Sequence, residues 1–107
     1  MSVRVELEDI AAAVASVDGA AFLLTTNADS SPHPANVRVE FADNRFTASA
    51  GRRSCTNCAE RSAVTLLWPN AGDDDMSLLV DGVARVVSTD DGILEIDPTS
   101  AIWHRAA

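Results

Sequence analysis

The chain has 107 residues, 47% of them hydrophobic and 22% charged, with sixteen acids against eight bases. A chain of this length holds one modest core, hiding roughly two thirds of its unfolded surface, and its apolar content excludes a disordered segment. The net charge of −8 repels polyphosphate backbones and anionic membranes, so neither nucleic acid nor a membrane surface is an expected partner.

The N-terminal MSVRVELEDI lacks the basic start, apolar stretch and small-residue cleavage site of a secretory signal, which predicts a cytoplasmic protein. Its apolar runs fall short of a bilayer span. Leu7, Ile10, Ala11, Val14 and Val17 recur at the spacing of one helical face, which predicts an opening helix stopped by Asp18-Gly19. Ala20 to Thr26 reads AAFLLTT, short and apolar as a strand buried on both faces would be. Turn residues Asn27 to Pro32 follow. Val37, Val39 and Phe41 then alternate with Asn36, Arg38 and Glu40, the period of a strand with one apolar side.

Residues 42 to 45, Ala-Asp-Asn-Arg, predict a hairpin turn into a third strand from Phe46 to Ala50. Ser54 is the expected cap of a short helix running to Arg61, and Val64 to Trp68 reads as a second buried strand. An acidic loop from Pro69 to Asp75 precedes a long β-rich run from Ser77 to Ser88, where Gly82 marks a bulge or bend. Ile93 to Ile96 and Ala101 to Trp103 are expected as two short strands around Asp97-Pro98. Most connections are too short for a parallel crossover. The expected architecture is one mainly β domain over residues 1 to 107, a small antiparallel barrel with two peripheral helices.

The densest chemistry lies where the third strand meets the second helix, in Ser49-Ala50-Gly51-Arg52-Arg53-Ser54-Cys55-Thr56-Asn57. Free amides at a helix start, a glycine that permits close approach, two guanidiniums and the hydroxyls of Ser54 and Thr56 suit a terminal phosphate. The competing reading is that Arg52 and Arg53 are solvated and pair with nearby acids. Cys55 and Cys58 have the spacing of a redox pair or half a zinc site. With no second Cys/His pair and no βαβ context, buried structural thiols are the expected use. His33 and His104 have no readable Ser or Asp partner, so triad hydrolysis is not supported. Trp68 is expected in the core, and Trp103 at a barrel end or an interface. Asp73-Asp74-Asp75 reads as a solvated loop.

PHPANVRV (32 to 39), NRFTASAGRRSCTN (44 to 57), SAVTLLWP (62 to 69) and SLLVDGVARVV (77 to 87) resemble, in order and spacing, the pyridoxamine 5'-phosphate oxidase-like FMN-binding split β-barrels. That resemblance implies a Greek-key split barrel and a homodimer sharing its flavin sites. It also implies an FMN-dependent oxidoreductase of unknown substrate. Arg52 and Arg53 would clamp the phosphate, with Ser49, Ser54 and Thr56 in support. Ala35, Asn36 and Val37 would run along the isoalloxazine edge, and Ser77 would reach the flavin from the partner subunit. Two departures confine the likeness to the superfamily. Arg61-Ser62 stands where relatives carry Asn-Pro or Asp-Pro, and the C-terminal segment of the true oxidases has no counterpart. Use of the deazaflavin F420, which related actinobacterial-type barrels bind and whose source the arginine-only bases fit, and a non-catalytic flavin or haem module are the alternatives.

Overall fold

The computed structural model describes residues 2–17, 20–71 and 75–106. The expected helix stop at Asp18-Gly19 and most of the acidic run at Asp73-Asp74 lie outside them. Strands are β1 (Ser2–Val5), β2 (Ala21–Thr26), β3 (Pro32–Ala42), β4 (Arg45–Ser49), β5 (Ala63–Trp68), β6 (Ser77–Ser88) and β7 (Ile93–His104). Helix α1 spans Ile10–Ala15 and α2 spans Arg52–Glu60. All pairings are antiparallel, in the order β1-β7-β4-β3-β2-β5-β6. The further pairing of β6 with β7 closes six strands into a barrel. β1 is an extra strand on β7, taking the edge of Ala101 to His104 where β4 has already left. The fold is the expected small antiparallel barrel with two helices.

The barrel forms because alternate residues of each strand are apolar. Phe46, Leu23, Leu66, Leu78, Leu94 and Ile96 fill the interior with no exposed area, which supplies the main favourable term in folding. Trp68 joins this core as expected, its ring 5.9 Å from Phe46, which in turn lies 4.5 Å from Phe41. Asp43 and Asn44, both at positive φ, make the predicted hairpin between β3 and β4, a conformation that short polar side chains tolerate.

Four expectations are corrected. The chain opens on β1, and a short 3-10 turn at Leu7–Asp9 precedes a helix of only six residues. The tighter turn rotates Leu7 off the apolar face, leaving it 51% exposed while Ile10 and Ala13 are buried. β2 and β5 are buried on one face only, with Phe22, Leu24, Thr65 and Leu67 outward and half-buried. Gly51, in extended conformation, occupies the N-cap of α2 and Ser54 lies inside the helix. Residues 93 to 104 form one strand, because Pro98 sits opposite Gly82 at a bulge where the register slips between Asp81 and Gly82. A proline without an N–H is tolerated at such a bulge, so the ladder continues past it. A Cβ on Gly82 would lie 2.7 Å from the Asp97 carbonyl oxygen, which is why the close approach there needs glycine.

Candidate functional site

β3 pairs with β2 from Pro32 to Val37 and with β4 only from Arg38 to Ala42. β4 ends at Ser49, opposite Arg38, and the chain turns away through Ala50 and Gly51 into α2. The first half of β3 therefore has a strand partner on one side only among the described residues. On that half Asn36 points outward, while Ala35 and Val37 face the interior. What these residues offer at the open side is backbone, since alternate residues of an antiparallel pair direct N–H and C=O away from the partner.

α2 starts three residues past Ser49, the β4 residue opposite Arg38 at which β3 loses this partner. The first hydrogen bond into the helix runs from the Cys55 amide to the Gly51 carbonyl, 3.1 Å, leaving the amides of Arg52, Arg53 and Ser54 directed at the helix end. A Cβ on Gly51 would meet nothing within 4 Å, so the approach is open. Arg52, Arg53 and Thr56 are exposed, and neither arginine forms an ion pair among the described residues. Ser49 is exposed at the end of β4.

The two guanidiniums serve different sides of the helix. Arg52 and Thr56, four residues apart, share one face and line a cleft of about 540 Å3 with Asp90 and Asp91 of the β6–β7 turn. Arg53 faces the β2–β3 turn. There the Asp29 carboxylate is held below its ordinary value mainly by the Ser31 hydroxyl, 2.5 Å away, and amide, and to a smaller degree by Arg53. The Ser54 side chain, only 1% exposed, is turned into the core. Of the supporting role expected for Ser54, only the amide remains. Ser77 lies three strands from β3 in the sheet order, opposite His104, and its hydroxyl accepts the Asn70 amide at 2.9 Å. Within one chain it is not part of the α2 site.

Asn57 carries more of the local structure than its polar side chain suggests. It is 2% exposed, and its amide nitrogen donates to the Thr25 hydroxyl at 3.0 Å and to Asn27 Oδ1 at 2.9 Å. Its oxygen accepts from Arg61 Nη2 at 3.4 Å, and Arg61 Nε donates to the Thr26 carbonyl at 2.8 Å. This network pins α2 to the end of β2. It also makes the helix stop that the missing proline leaves open, with Arg61 in extended conformation. Only the i, i+4 spacing of Asn57 and Arg61 hints at it in the sequence.

Cys55 and Cys58 are buried on the inner side of α2, and burial pushes both thiols up, Cys58 to about 11. At neutral pH such a thiol is ionised to about one part in ten thousand, far too little for a reactive nucleophile. Both are expected to resist an aromatic disulfide reagent in the native protein and to react at once in denaturant. Fast native labelling of either would contradict the burial. His33 sits half-buried on β3 and His104 hydrogen-bonds the Ser2 hydroxyl at 3.3 Å, with no carboxylate completing a triad among the described residues. Trp103 packs against the core from the end of β7. Among the described residues no group of side chains is placed to hold a metal, and no helix is long and apolar enough to cross a membrane.

No family model matches the chain, and no curated protein matches it. A solved structure does, that of a candidate 5-nitroimidazole antibiotic resistance protein from Bacteroides thetaiotaomicron VPI-5482. It superposes with a TM-score of 0.68 over 96% of this chain and 86% of that one, at 7% sequence identity. The two proteins share a fold. At so low an identity the likeness extends to the barrel and not to the residues of a site.

Proposed function

We propose that this chain is an FMN-binding barrel, working as an oxidoreductase in a homodimer. One observation carries the reading. The open start of α2, with its unbonded amides and two guanidiniums outside any described ion pair, follows within three residues the end of β4 at which β3 loses a strand partner. The residues present fit a phosphate followed by a flat ring. A phosphate dianion is held by the Arg52, Arg53 and Ser54 amides and by the guanidiniums, while Ala35, Asn36 and Val37 present backbone to a planar heterocycle. Asp90 and Asp91 oppose a dianion on the Arg52 side of the helix. The phosphate therefore belongs on the Arg53 side, where the single carboxylate of Asp29 already accepts two hydrogen bonds from Ser31.

A bound flavin would supply the hydride-accepting ring, and the chain would hold, orient and shield it. The fold shared with the Bacteroides protein is compatible with this reading. The test is the visible spectrum of the purified protein followed by titration with FMN, F420 and haem. FMN is expected to bind and to show absorption bands that bleach on reduction. Preference for F420 would move the chemistry to the deazaflavin on the same barrel. If none of the three binds, the proposal fails.

A further inference from the structure

The hairpin between β3 and β4 fixes which way every backbone group of β3 points. Asp43 and Asn44 both have positive φ and join Ala42 to Arg45 in two residues, the turn whose flanking residues exchange both backbone hydrogen bonds. Bonded and non-bonded pairs then alternate, so Arg38, Glu40 and Ala42 direct N–H and C=O to β4. The Ala50 amide keeps the same alternation on β4, turning away from β3 to the Gly92 carbonyl at 2.8 Å. Carried back along β3, it gives His33, Ala35 and Val37 to β2. Pro32, Pro34 and Asn36 are left facing the side from which β4 has departed.

Two of those three residues are proline, which has a carbonyl and no N–H. Because Pro32 and Pro34 face away from β2, they cost the β2–β3 ladder nothing and remove two donors from the open side. In chain order that side offers the carbonyls of Pro32 and Pro34, the amide of Asn36 and the carbonyl of Asn36. Outside the strand ladders, no backbone hydrogen bond reaches any of the four among the described residues. A further β-strand is a poor occupant, since it would need donors that the two prolines lack.

We propose that this edge prefers the two-electron-reduced flavin ring to the oxidised one, with Pro34 and Asn36 setting the preference. The proposal rests on the FMN reading above and adds the redox state that the chain favours. In the oxidised ring, N1 and N5 carry lone pairs and N3–H is the single ring donor. Uptake of two electrons and two protons forms the N1–H and N5–H bonds, FMN + 2e− + 2H+ → FMNH2, and turns both acceptors into donors. The oxygens at C2 and C4 stay acceptors. Either nitrogen edge of the reduced ring then runs donor, acceptor, donor, the complement of Pro34 C=O, Asn36 N–H and Asn36 C=O. The oxidised ring sets a lone pair against one of those carbonyls, and two acceptors facing each other leave both unsatisfied. Charge works the other way. At −8 the field of the protein disfavours the anion that reduced flavin forms on losing its N1 proton, so a preference for the reduced ring is the mark of the hydrogen bonds.

The experiment is anaerobic titration of the full chain with FMN and with dithionite-reduced FMN. The wild type is expected to hold the reduced form about tenfold tighter, the effect of replacing an acceptor–acceptor contact by one hydrogen bond, or about 30 mV in the potential of bound FMN. Pro34→Ala gives the edge a second N–H for the acceptors of the oxidised ring, and should bring the two affinities to within about threefold. Pro98→Ala, at the β6–β7 bulge, is the control and should keep the wild-type ratio. Salt tests the origin without any variant, because it screens charge and leaves short hydrogen bonds in place. The wild-type ratio should therefore persist at high salt. Oxidised FMN held as tightly as reduced by the wild type, a ratio that Pro34→Ala leaves unchanged, or a ratio lost in salt overturns the proposal while FMN binding stands. If neither form binds, the FMN reading fails and takes the proposal with it.

Discussion

Gly92→Ala is expected to destabilise the protein by about 3 kcal/mol or more, lowering the melting temperature by roughly 12 to 24 °C for a domain of this size. Gly92 sits at φ +67 in the β6–β7 turn, a conformation that a side chain disfavours by about 1–2 kcal/mol. A Cβ there would lie 2.3 Å from the Ala50 carbonyl oxygen. That oxygen belongs to backbone that cannot retreat easily, because the Ala50 amide donates to the Gly92 carbonyl at 2.8 Å. Ala50 leads directly into α2, so the damage reaches the helix start as well. Gly51→Ala is the control, since its Cβ points into open space, and it should cost less than about 1 kcal/mol. Thermal unfolding of the two variants side by side decides the matter, and equal melting temperatures would contradict the close approach.

Arg52→Ala combined with Arg53→Ala is expected to weaken FMN binding by about 100-fold or more, because each charge-assisted hydrogen bond contributes about 1.5–3 kcal/mol. Riboflavin, which lacks the phosphate, should lose less than about threefold by the same reasoning. The single substitutions should be unequal. Arg53→Ala is expected to cost more, since Asp90 and Asp91 stand beside Arg52 and work against a dianion there. Titration of the three variants with both ligands reads this directly. Equal losses for FMN and riboflavin would mean that the arginines act through the fold and not through a phosphate.

How much was legible in the sequence follows from the range of the forces concerned. Strands β2 to β6, the hairpin at Asp43-Asn44 and the bulge at Gly82 were readable because alternation, turn conformation and glycine tolerance act over a few neighbouring residues. β1 was not. Ser2 to Val5 buries only Val5 and is a strand because β7 offers an edge about a hundred residues later. The continuity of β7 through Pro98 was hidden likewise, since the bulge that accommodates the proline depends on Gly82 across the ladder.

The candidate site divides along the same line. The sequence by itself determined that two arginines, a glycine and a helix start fall together at the end of a strand, because helix termini and turns are local events. Only the tertiary structure decided that Ser54 points into the core, and that Asp90 and Asp91 flank Arg52 while Arg53 looks towards Asp29. It also decided that Asn57 holds the helix to β2. The sequence shows that Phe22, Leu67, Leu79 and Ile102 are apolar. That they meet in one outward row is a property of strand register, which is set by barrel closure among strands distant along the chain.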